Sequence, residues 1–166
     1  MKKNLYVVEA VNCVAFYNQL VNDKETMDKL PLKIKWNLKR AIEKMRDDVK
    51  SYEEFRDGEL QKIRDVYFDE THADKTMLPE LDESGNSVID DDGNPVMKDG
   101  LQVKDEYLEE YQKAITDLNV RLDEILKEQN TYEYNGVNID DFIDTIDESI
   151  GFDALNMIDA ILGERE

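Results

Sequence analysis

Apolar residues recur at steps of three and four along two long stretches of this chain. The first runs from about Leu32 to Tyr67, with Ile34, Leu38, Ile42, Met45, Val49, Tyr52, Phe55, Leu60, Ile63 and Tyr67 in step. The second runs from about Val103 to Gln129, with Tyr107, Tyr111, Ile115, Leu118, Leu122 and Ile125 in step. Such spacing lines up one apolar stripe per helix. Two stripes bury each other most simply as an antiparallel helical hairpin, so the expected fold class is mainly α. Pro31 sits where the first helix opens, a position at which its missing N–H has no partner to lose. Gly58 lies inside the pattern and costs about 1 kcal/mol relative to alanine, which marks the place for a kink or an end. A helix that passes Gly58 and reaches Tyr67 has about 36 residues and spans roughly 54 Å.

The remaining segments are shorter. Leu5, Val7 and Val8 suit a short strand, but from Glu9 onward Val11, Val14 and Ala15 predict an N-terminal helix that Asn22-Asp23 breaks. Residues 69–102 lose the helical period and contain Gly85, Gly93, Gly100, Pro79 and Pro95. Asn86-Ser87-Val88-Ile89 and Pro95-Val96-Met97 flank Asp90-Asp91-Asp92-Gly93-Asn94, which predicts an acidic loop or β-hairpin insert. Farther on, Asn135-Gly136 lies between alternating apolar residues and predicts a hairpin carrying Tyr132 and Tyr134. A short helix with Phe142, Ile143 and Ile146 should follow, capped by Asn138, Asp140 or Asp141, and then a last helix from Phe152 to Leu162 that buries Phe152. No internal repeat stands out. The length suits one domain, divided into 1–68, the insert 69–102, the second long helix 103–130 and the C-terminal hairpin and helices 131–166.

Charge sharpens this picture. The formal net charge is -19, and it is uneven. Residues 1–50 hold eleven Lys and Arg against seven Asp and Glu, whereas 69–99 and 139–166 each carry a net -8. That field repels nucleic-acid phosphates and acidic membranes and favours basic protein surfaces; it also keeps a protein soluble. No apolar run approaches the roughly 18 residues of a membrane span. The opening Met-Lys-Lys-Asn-Leu-Tyr-Val-Val-Glu lacks a signal-peptide pattern, because Glu9 and Asn12 interrupt the apolar run and no cleavage site follows. A cytoplasmic protein is expected.

The residues offer little catalytic chemistry. Cys13 is the single cysteine, so no internal disulfide forms, and its apolar neighbours predict a buried small side chain. His72 is the single histidine and reads as an exposed loop residue. No nucleophile motif, zinc motif or phosphate loop accompanies it. The aspartate run invites a calcium reading. With Gly93 at the sixth loop position, however, Val88 falls where the first ligand belongs, and a solvated turn fits better. Tyr107 and Tyr111 are expected in the core. Trp36 lies off the main stripe of its helix, either packed on the N-terminal helix or anchoring a partner. No catalytic, cofactor or metal residues are assigned; the candidate partner-binding residues are Asp90, Asp91, Asp92, Asp140, Asp141, Asp144 and Trp36.

Leu30-Pro31-Leu32-Lys33 opening a long helix, Tyr52-Glu53-Glu54-Phe55-Arg56 later on it, the acidic Asp82-Glu83-Ser84-Gly85-Asn86 and a second helix around Glu106-Tyr107-Leu108-Glu109-Glu110 form an ordered set. This order resembles a group of small bacteriophage and prophage proteins of unknown function built on a long helical hairpin. The chain departs from them in a more apolar N-terminal segment and a longer insert. The resemblance implies a phage context and no particular activity. The expected role is a non-enzymatic accessory protein that binds another protein with a basic surface, in virion assembly or against a host factor. A competing expectation is an acidic nucleic-acid mimic that inhibits a host restriction or CRISPR nuclease. Neither entails direct nucleic-acid or membrane binding, and both are compatible with a homo-oligomer.

Overall fold

The computed structural model describes residues 1–137 and 150–163. The elements are β1 (Lys2–Tyr6), α1 (Val7–Asn22), α2 (Lys24–Lys29), α3 (Leu32–Tyr67), β2 (Ala73–Pro79), β3 (Met97–Val103), α4 (Asp105–Leu126), β4 (Gln129–Glu133) and α5 (Phe152–Leu162). The protein is mainly helical, with two small two-stranded sheets. The expected helix over 138–149 and the candidates Asp140, Asp141 and Asp144 lie outside the described residues. Two compact units form: residues 1–55 with 122–166, and residues 56–121.

In the first unit the core gathers around the N-terminal half of α3. Ile34, Leu38, Ala41, Ile42, Met45 and Val49 are buried on one stripe. Ala10, Cys13 and Leu20 of α1, Tyr132 and Tyr134, and Ile158, Ile161 and Leu162 of α5 join them in one apolar cluster. Helix α1 begins directly after β1, where the Glu9 carboxylate accepts the Tyr6 N–H at 2.8 Å. Asp23 ends α1 and caps α2 by accepting from the Thr26 N–H, a short helix that the apolar pattern did not indicate. Phe152 is exposed rather than buried, because it sits in the first turn of α5 on the side away from Ile158 and Ile161.

Among the described residues the expected C-terminal hairpin is not seen, and part of its second strand, 138–139, lies outside them. Strand β4 pairs antiparallel with β1, Lys2 opposite Glu133 and Tyr6 opposite Gln129. A two-residue Asn-Gly hairpin turn needs positive φ at both residues, and among the described residues only Gly85 and Gly93 have positive φ. Val137 instead bridges to Gly163 in parallel. The result is a cap on the end of α5. Lys3 Nζ donates to the Ala160 carbonyl, the Tyr134 hydroxyl to Ile161 O at 2.8 Å, and the Val137 N–H to Leu162 O at 2.8 Å. These carbonyls belong to the last turn, which has no helical donors of its own, and the Lys3 ammonium also suits the negative end of the helix dipole.

The second unit contains the end of α3, the insert and most of α4. Helix α3 continues through Gly58, whose Cα faces open space, as the stripe resumes at Leu60, Ile63 and Tyr67. Glu59 pairs with Arg121 at 3.1 Å, and Tyr67 meets Tyr111 edge-on with ring centroids 5.6 Å apart. Leu118 is fully buried. Phe55, in contrast, is exposed, so the α3 stripe does not bury at every step.

The cap on α5 leads to a stability prediction. Tyr134→Phe removes the hydroxyl that donates to Ile161 O at 2.8 Å, leaving that carbonyl only the longer contact from Lys3 Nζ at 3.4 Å, and should cost about 1 kcal/mol. A urea melt should show a lower midpoint with an unchanged slope. A midpoint equal to the wild type would mean that the carbonyl finds another donor.

Candidate functional site

The insert is built by a repeat. Leu81-Asp82-Glu83-Ser84-Gly85-Asn86-Ser87-Val88 is followed at once by Ile89-Asp90-Asp91-Asp92-Gly93-Asn94-Pro95-Val96, contrary to the expectation that none is present. Each copy folds into the same turn. Asp82 Oδ1 accepts from the N–H groups of Ser84 and Asn86 at 2.8 and 2.9 Å, and Asp90 Oδ1 accepts from those of Asp92 and Asn94 at 3.0 and 2.8 Å. Gly85 and Gly93 take φ of 82° and 84°, a left-handed conformation open to glycine. Each turn is closed by a bridge, Leu81 to Ser87 and Ile89 to Pro95.

A cycle of three backbone hydrogen bonds joins these turns to the β2–β3 stem. The Val88 N–H donates to Glu80 O at 2.8 Å, the Val96 N–H to Val88 O at 2.8 Å, and the Glu80 N–H to Val96 O at 2.7 Å. Three residues eight apart thus close a ring, from which three hairpins radiate. The stem runs from Ala73 opposite Val103 to Pro79 opposite Met97. Leu81, Ile89 and Met97 each follow one residue of the ring and occupy equivalent positions around it. They are 55%, 53% and 45% exposed. Glu83, Asp91 and Asp92 of the two turns and Asp99 of the stem are also exposed. A recess of about 610 Å³ opens on the stem beside Met77, lined also by Lys75, Thr76, Asp99, Gly100 and Leu101.

The base of the stem is aromatic. His72 is half-buried, not an exposed loop residue: its ring meets Tyr107 at 4.6 Å, and Nδ1 lies 2.8 Å from Asp69 Oδ1. Tyr67, Phe68 and Tyr111 complete the cluster; Tyr107 and Tyr111, expected in the core, are half-buried in it. The His72 hydrogen bond, with further backbone donors, holds the Asp69 carboxyl below its ordinary range. The N–H of Asn86, together with that of Ser84, does the same for Asp82.

The sequence candidates fall into three places. Asp90, Asp91 and Asp92 share the second turn, but the Asp90 carboxylate is engaged with its own loop, leaving Asp91 and Asp92 facing outward. Trp36 belongs to the other unit, where it is 55% exposed with the Arg40 guanidinium 5.8 Å from its ring centroid. The three acids of 140–144 are not described. Leu81, Ile89 and Met97 escaped the sequence reading. The signal that finds Leu81 and Ile89 is the repeat itself, an apolar residue before Asp-x-x-Gly-Asn-x-Val; Met97 stands one repeat length farther on, without the motif after it.

Chemically the tip offers apolar contact and negative charge. Cys13 is buried, and burial pushes its thiol up to about 11, far from a reactive thiolate. Among the described residues no group of three or more His, Cys, Asp or Glu is placed to hold a metal ion, and no helix is long and apolar enough to cross a membrane. No protein-family model, curated protein or solved structure matches the chain.

Acid should loosen the first turn. The Asp82 carboxyl is depressed in the folded state, so its contribution is present above the unfolded carboxyl value of about 3.9 and is lost as pH falls through the folded value. Amide exchange at Ser84 and Asn86 should therefore quicken, relative to the pH trend of other exposed amides, at the acid end of a titration. In Asp82→Asn, which keeps an acceptor that does not titrate, that extra quickening should vanish. The same acid response in both proteins would show that the Asp82 charge does not hold the turn.

Proposed function

We propose that this chain is a non-enzymatic accessory protein, of phage or prophage context by the resemblance of its sequence, that acts in the host cytoplasm by binding another protein through the tip of its insert. One observation carries the reading: three exposed apolar side chains, Leu81, Ile89 and Met97, stand at equivalent positions around a hydrogen-bonded ring, among outward-facing carboxylates. Large apolar side chains grouped on a polar surface mark interaction sites. The exposed carboxylates of Glu83, Asp91, Asp92 and Asp99 select a basic partner and speed its approach. The contacts Glu59–Arg121 and Tyr67–Tyr111 support an antiparallel helix pair as the rigid stem behind the tip. A virion component during assembly and a host factor both suit such a surface. A nucleic-acid mimic needs carboxylates at phosphate-like spacing and no apolar triad, so the tip favours the protein-binding reading.

The test is capture from a bacterial host lysate on immobilised protein, with graded salt elution. The triple variant Leu81→Ser, Ile89→Ser, Met97→Ser should lose at least about tenfold in affinity, equal to about 1.4 kcal/mol. Its thermal stability should barely change, because surface substitutions usually lie within about 0.5 kcal/mol. Asp91→Asn with Asp92→Asn should slow association and flatten its salt dependence. Capture by the serine variant at the wild-type level would remove the tip from the interface. Capture of a nucleic-acid enzyme that depends on the carboxylates alone would favour mimicry.

A further inference from the structure

The first unit carries a surface of opposite character. Over 32–46 the sequence places Lys33, Lys35, Lys39, Arg40, Lys44 and Arg46 against the single acid Glu43, in a chain whose net charge is -19. The helix turns Ile34, Asn37, Leu38, Ala41, Ile42 and Met45 into the core, which leaves Lys33, Trp36, Lys39, Arg40, Glu43, Lys44 and Arg46 exposed on the other side. Leu32 is 82% exposed and Trp36 55% exposed. Steps of four from 32 to 36, 40 and 44 put Leu32, Trp36, Arg40 and Lys44 on one line. The Arg40 guanidinium lies over the Trp36 ring, and Glu43 pairs with Lys39 at 3.9 Å. Arg40 and Lys44 also line a recess of about 250 Å³ with Met1, Glu133, Tyr134 and Asn135. Among the described residues neither cation has an acidic partner within salt-bridge distance. The stripe is thus basic, aromatic and open, on a protein that otherwise repels anions.

We infer that the occupant of this stripe is the insert tip of a second copy of the chain. The argument is complementarity in both charge and apolarity. The tip offers Leu81, Ile89 and Met97 with Glu83, Asp91 and Asp92; the stripe offers Leu32 and Trp36 with Lys33, Lys39, Arg40 and Lys44. Exposed Trp and Arg are the residue types that carry most binding energy at protein interfaces. A nucleic acid could also neutralise the stripe, but a duplex offers Leu32 no apolar partner, whereas the tip offers three exposed apolar side chains. Each copy holds one tip and one stripe, which are different surfaces. Pairing is therefore head-to-tail, and such contacts propagate into chains or close into rings instead of stopping at a two-fold dimer. This inference rests on the reading of the tip as a protein-binding surface and names one partner for it. Self-association would store the tip until a stronger partner displaces the neighbouring copy.

The experiment is sedimentation velocity of the purified full chain over a concentration series at low and high salt. The wild type should pass from 19.4 kDa to species larger than a dimer as concentration rises at low salt, and return to the monomer at high salt. A tip variant (Leu81→Ser, Ile89→Ser, Asp91→Asn, Asp92→Asn) and a stripe variant (Trp36→Ala, Arg40→Gln, Lys44→Gln) should each lose at least tenfold in self-association. Mixed one to one, they should form a heterodimer and go no further, since one good tip meets one good stripe. Circular dichroism and melting temperature matched to the wild type show that each variant is folded. A wild type monomeric at every concentration, a stripe variant that associates like the wild type, or a mixture that stays monomeric overturns the inference. So does saturation of the stripe by a labelled duplex oligonucleotide in the absence of self-association. Those results leave the tip reading standing if the stripe variant still captures a lysate partner that the tip variant loses.

Discussion

The cycle of backbone hydrogen bonds through Glu80, Val88 and Val96 is the constraint on which the candidate site depends. Each bond uses a donor and an acceptor that a short exposed loop would otherwise leave to water. Closing the cycle fixes three hairpins at one point and sets Leu81, Ile89 and Met97 at equivalent places around it. An acidic segment of this composition has few side chains to bury and would otherwise lack the apolar contacts that offset chain entropy. Order comes here from backbone pairing, from the Asp82 and Asp90 carboxylates that fold their own turns, and from two glycines at positive φ. The apolar residues are thereby released for use on the surface.

The first unit solves a different problem. Its core is assembled from segments far apart in the chain, with α3 supplying the central stripe and α1 and α5 joining it in one cluster. The β1–β4 ribbon adds polar ends to that cluster. Tyr132 donates to Asp48 at 2.7 Å, which also accepts from Asn130 at 3.0 Å. Burial, reinforced by the Asp48 carboxylate, pushes the Tyr132 hydroxyl up to about 12. Tyr134 reaches the end of α5 instead. Tyr132 on β4 and Tyr134 just beyond it thus donate to different neighbours while their rings fill the core.

Helical elements were legible because their signals are local. Pro31 and the stripe from Ile34 onward define α3 from Leu32 to Tyr67, and the glycine at 58 did not break it because apolar positions continue beyond it. Helix α5 was legible from Phe152 to Leu162 by its apolar spacing. The pairing of Lys2 with Glu133 was not legible, since no periodicity connects strands more than a hundred residues apart. Asn135-Gly136 pointed to a hairpin for purely local reasons, whereas β4 is seen in long-range pairing with β1. At the candidate site Asp90 to Asp92 were found for their charge, and the structure gives Asp90 a turn-forming task instead. The apolar triad stayed hidden because Leu81, Ile89 and Met97 look like ordinary strand residues until the eight-residue repeat aligns them. His72 was misplaced because its aromatic neighbours, Tyr67 and Tyr107, come from two different helices.

The central claim is that the tip is a surface made to touch another protein. Site-specific photo-crosslinking tests it most directly, with a photoreactive residue in place of Ile89 and, as a control of similar exposure, in place of Val120, which is 57% exposed on α4. Illumination in a bacterial host lysate should yield a discrete protein adduct from position 89, suppressed by Asp91→Asn with Asp92→Asn, and none from position 120. Equal labelling from both positions, or no discrete adduct from position 89, would contradict the account.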